Sequence, residues 1–71
     1  MELIKQLSTD RLEQICNDGL LWNEYSTDQK YRSLLYRSTS LIQEQHEDEI
    51  ILTRDVLDMA SVELLRRKTL N

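Results

Sequence analysis

The chain has 71 residues, enough for one small domain, and a domain of that size buries only about 60% of the surface its unfolded form exposes. Thirteen acidic against nine basic residues give a net charge of −4, which disfavours nonspecific attraction to nucleic acid or anionic lipid, and the single cysteine, Cys16, excludes a disulfide within the chain. With 39% apolar and 31% charged residues the composition is that of a folded domain rather than a disordered segment, and one glycine and no proline leave little to interrupt helices.

The expected class is therefore all-α: a small bundle of three to four helices forming a single domain over 1–71. The amino terminus, MELIKQLSTDRLEQ, carries a charge every few residues and no apolar run. It predicts neither a signal peptide nor a membrane span, and with them a soluble intracellular protein.

Leu3, Ile4 and Leu7 lie on a different helical face from Leu12, Ile15 and Cys16, so the stripe shifts at Ser8-Thr9-Asp10. Asp10 with Glu13 three positions on has the form of a capping box, predicting a short first turn or helix and a second from about Asp10 to Cys16. Gly19, in Asn17-Asp18-Gly19, stands where a left-handed carboxy-terminal cap would end that helix. Leu20, Leu21, Trp22 and Tyr25 form the densest apolar patch of the chain, either folding back to plug the core or docking onto a partner.

Ser26 and Gln29 make a second capping box, opening what the spacing predicts to be the longest helix, about 27–46. Tyr31, Leu34, Leu35, Leu41 and Ile42 mark its packing face, with the small Ser38 in the middle and Tyr36 opposite, and Asp28 with Arg32 forms an i,i+4 ion pair. His46-Glu47-Asp48-Glu49 breaks the stripe, Ile50-Ile51-Leu52 suits an extended link, and Thr53 caps a last helix at about 54–68. Val56, Leu57, Ala60 and Leu64 form the face of that helix, Glu63 pairs with Arg67, and Arg66, Arg67 and Lys68 complement the macrodipole at its end. One continuous helix over 26–70 is the competing reading, against which the break at Asp48 and Glu49 argues.

Within a helix spanning 27–46 the charges run against the macrodipole, with Lys30, Arg32 and Arg37 near the start and Glu44, Glu47, Asp48 and Glu49 at the end. An antiparallel copy of that helix in a second chain would set the basic start against the acidic end twice. Solvated charges of little energetic worth are the alternative. The capped long helix, the link Ile50-Ile51-Leu52 and Thr53-Arg54-Asp55-Val56-Leu57-Asp58-Met59-Ala60 together resemble the second half of a histone-fold subunit, over about 26–70. That resemblance implies pairing through antiparallel central helices. The chain departs from the family in the shortness of the long helix, in the region before it and in its acidic balance, so it is not assigned there.

No catalytic constellation, metal motif or cofactor motif is present, and neither an enzyme nor a bound cofactor is expected. His46 sits in a solvated acidic turn, and Cys16 follows the apolar pattern of a small core residue. The expected function is a noncatalytic protein–protein interaction module, an adaptor, regulator or assembly subunit in a homodimer or heteromeric assembly. Its partner-binding residues are expected at Leu20, Leu21, Trp22, Tyr25, Tyr31, Leu34, Leu35, Leu41 and Ile42, with Glu47, Glu49, Arg66 and Arg67 as charged contacts. A nucleic-acid-associated subunit using Arg32, Arg37, Arg66 and Arg67 is the alternative, and an acidic inhibitor of a nucleic-acid enzyme a third.

Overall fold

In the computed structural model, which describes the backbone of residues 2–69 and the side chains of 3–69, five α-helices follow one another. They are α1 (Glu2–Gln6), α2 (Thr9–Leu21), α3 (Thr27–Arg32), α4 (Leu34–Gln45) and α5 (Thr53–Thr69), with a 3-10 turn at Trp22–Glu24 and no strand among the described residues. The all-α class holds, with five helices in place of three to four. The longest is α5, at 17 residues.

The expected helix over 27–46 is broken at Ser33, whose extended backbone (φ −65°, ψ 153°) ends α3 and begins α4. Polar satisfaction explains why this break is tolerated. Ser33 Oγ accepts the Tyr36 amide at 3.1 Å and donates to the Lys30 carbonyl at 2.6 Å, and Asp18, reaching over from α2, accepts the amides of Leu34 (2.9 Å) and Leu35 (3.1 Å). Three of the amide groups that a helix start leaves without partners are thereby bonded. The break also alters the charge pattern: Asp28 opens α3, and Lys30 and Arg32 fall in its last turn, where cations complement the dipole. The opposition that called for an antiparallel copy of a long helix largely disappears, and with it the long central helix of the histone-fold resemblance.

Other starts and stops follow local chemistry. Ser26 and Gln29 form both bonds of the capping box, at 3.2 and 2.8 Å. At α2 the cap is Ser8, not Asp10, with Ser8 Oγ accepting the Arg11 amide. Thr53 is the first helical residue of α5 rather than its cap; Asp55 reaches back to accept the Leu52 amide at 3.3 Å. The predicted stop at Gly19 is overturned. Helix α2 continues to Leu21 and Gly19 does not take the left-handed conformation. A Cβ built there would lie 2.5 and 2.6 Å from the Leu57 Cδ atoms, so the glycine serves close helix approach.

Contacts of Arg67 with Thr9, Cys16 with Ser61 and Gly19 with Leu57 run in opposite directions along the two helices and set α2 antiparallel to α5. Helix α4 packs against both, and the three enclose Leu12, Ile15, Leu35, Ile42, Val56 and Ala60, with Ile4 added from α1. Ser38 and Thr39 are buried on α4, where small side chains admit a neighbouring helix; the Thr39 hydroxyl is bonded to the Leu35 carbonyl at 2.8 Å. The expected break at Asp48 and Glu49 and the non-helical Ile50-Ile51-Leu52 are both present, within a link over 46–52 that is held by Gln43. Its amide nitrogen donates to the His46 and Glu49 carbonyls (2.9 and 2.6 Å) and its oxygen accepts the Ile51 amide (2.8 Å). No helix among the described residues is long and apolar enough to cross a membrane.

Candidate interaction surface

The structure disperses the residues expected to meet a partner. Leu35 and Ile42 lie in the core, fully enclosed by the chain's own helices, and Leu34 is half-buried against it, so none of the three presents a free apolar face. Tyr31 and Leu41 remain exposed but stand on different helices, α3 and α4. The break at Ser33 turns Tyr31 toward Tyr36, whose rings meet edge to face with centroids 4.9 Å apart. In one continuous helix these positions would face nearly opposite ways.

The patch 20–25 divides. Leu20 is exposed and Leu21 is at the surface, while Trp22 packs against the core with the Lys30 ammonium 5.5 Å from its ring centroid. Tyr25 donates its hydroxyl to Asp18 at 2.8 Å. That bond, with some burial and the carboxylate's charge, pushes the Tyr25 phenol up from its ordinary value. Asp18 thus ties α2 to the connector and to the start of α4, a role no local motif announced. Glu47 and Glu49 are exposed in the turn after α4.

Arg66 and Arg67 are both engaged within the chain. Both grip the buried Glu63: Arg66 by two bonds of 3.0 and 2.6 Å, Arg67 by one of 2.9 Å. The Arg66 and Arg67 guanidiniums hold the Glu63 carboxyl at about 2, against an ordinary 4.5, and outweigh the burial that works the other way. Arg67 then reaches across to the Lys5 and Leu7 carbonyls (3.1 and 2.8 Å) and to the Thr9 hydroxyl (3.1 Å), capping the end of α1 from α5. Arg32 is paired with Asp28 at 3.2 Å, on the surface.

Sequence reasoning missed the outer side of α5. Val56, Leu57, Ala60 and Leu64 turn inward as expected, yet Val62 (67% exposed) and Leu65 (63% exposed) face away from the core. At about 3.6 residues per turn, Asp58, Met59, Val62, Leu65 and Arg66 occupy roughly a third of the helix circumference. Beside them an open groove of about 270 Å³ runs between α1 and α5, lined by Ile4, Lys5, Asp58, Met59, Val62 and Glu63. The missed signal was the pair Val62 and Leu65 outside the inner stripe, which makes α5 apolar on two sides. Searches of protein-family models, curated proteins and solved structures find no match to this chain.

Proposed function

We propose that the protein is a noncatalytic interaction module that engages a protein partner through the outer face of α5. The observation that carries this reading is the exposure of Val62 and Leu65 beside the α1–α5 groove, on a helix whose inner face already fills the core. Apolar residues grouped around a recess and rimmed by charge favour protein association over solvation. Three of the four basic residues weighed for a nucleic-acid subunit, Arg32, Arg66 and Arg67, are already paired with carboxylates of the same chain, which reduces the net positive charge they offer a phosphate backbone.

A photo-crosslinking side chain placed at Val62, and separately at Glu13 on the exposed side of α2, tests this in living cells. Covalent protein adducts are expected at position 62 and not at 13. No adduct at 62, or equal labelling at both positions, would count against the module reading.

A further inference from the structure

We infer that the occupant of this face is a second copy of the chain, with the two α5 helices pairing antiparallel about a two-fold axis at Val62. This rests on the interaction-module reading and names its partner. A two-fold interface requires a patch that complements itself. In an antiparallel pair centred on Val62, each residue before the centre lies level with the residue equally far beyond it in the other copy. Asp58 is then level with Arg66, and Met59 with Leu65.

The charges favour that orientation over the parallel one. Asp55 and Asp58 lie toward the start of α5 and Arg66 toward its end, so antiparallel pairing brings each Arg66 alongside the acidic start of the other copy, twice per dimer. Parallel pairing would set like against like. Arg66 retains capacity for this contact, because its side chain stays 51% exposed while bonded to Glu63. At the seam the two Val62 side chains meet, and the α1–α5 groove beside Met59 gives the second copy's apolar side chains a recess to enter. Mixed acidic and basic groups around an apolar centre suit this self-pairing better than a uniformly charged partner.

Sedimentation of the full chain over a concentration series, at low and high salt, tests the proposal. The expected result is a reversible monomer–dimer equilibrium that weakens as salt rises. Val62→Asp should weaken the dimer by roughly tenfold or more, as loss of a central apolar contact does. It should leave helicity unchanged, because Val62 lies on the surface. Asp58→Arg should weaken it less and reduce the salt dependence. In a Cys16→Ser background, Val62→Cys should be joined into a dimer by a short bifunctional thiol reagent and Glu13→Cys should not. A monomer at every concentration, or a dimer indifferent to both substitutions, would overturn the second-copy assignment. Adducts of another mass at position 62 in cells would then leave the module reading standing.

Discussion

Single side chains here hold helices that are distant in sequence: Asp18 joins α2 to the start of α4, and Arg67, itself gripped by Glu63 on the same helix, joins α5 to the end of α1. Removing the Asp18 carboxylate leaves the Leu34 and Leu35 amides and the Tyr25 hydroxyl without their acceptor. Hydrogen bonds to a charged group contribute about 1.5–3 kcal/mol, so Asp18→Ala should lower unfolding free energy by about 2–3 kcal/mol in urea titrations. That is a large share of the ~4–10 kcal/mol expected for a domain of this length. Asp18→Asn should lose less, and spectrophotometric titration should find the Tyr25 phenol ionising at lower pH in that variant, since the bonded carboxylate is the main reason it is raised.

Glu63 makes a pH-dependent contribution of definite sign. Its carboxyl titrates at about 2 in the folded protein and near 4.5 when unpaired, so between those values the unfolded chain binds the extra proton. The stabilisation is complete above about 4.5 and fades as pH falls toward 2. Urea midpoints measured across that window should drop more steeply for the parent than for Glu63→Gln, with the two curves converging in acid. Equal slopes would mean that the guanidinium pairing contributes nothing to folding.

At the scale of elements, most of what could be read from the sequence closes within three or four residues, although the equally local Asp10–Glu13 box gave way to Ser8. The Ser26–Gln29 box and the Asp28–Arg32 and Glu63–Arg67 pairs close within about one turn, the inner stripe of α5 repeats at that spacing, and each stands in the structure. The break at Ser33 does not, because two of the three amides capped there, those of Leu34 and Leu35, go to Asp18 on α2, sixteen and seventeen residues upstream of them. Gly19 was misread for a related reason: a glycine that ends a helix and one that admits a neighbour look alike until the neighbour, Leu57, is placed. Gly19→Ala raises intrinsic helix propensity by about 1 kcal/mol, yet it crowds Leu57. The crowding should prevail, and the variant should melt at or below the parent temperature; a clear rise would show that α2 and α5 have room to separate.

For the whole molecule, a core of seven buried apolar side chains among the described residues leaves little surplus, and α5 contributes to it from one side while presenting Val62 and Leu65 on the other. On the proposed reading, association buries the second apolar face of α5, which the core of so small a chain leaves uncovered. That view replaces the expectation of a dimer through the 27–46 helix, whose Leu35 and Ile42 are enclosed within the chain. It also accounts for why the candidate surface was hard to see: the composition suggested association, but the inner stripe of α5 masked the two residues that stand outside it.

The most direct test is an amide-resolved NMR dilution series on the full chain. Concentration-dependent shifts should be confined to Asp58–Arg66 of α5 and the adjoining edge of α1, and Val62→Asp should abolish them. Shifts centred instead on Tyr31 and Leu41, or a spectrum unchanged on dilution, would contradict pairing through the outer face of α5.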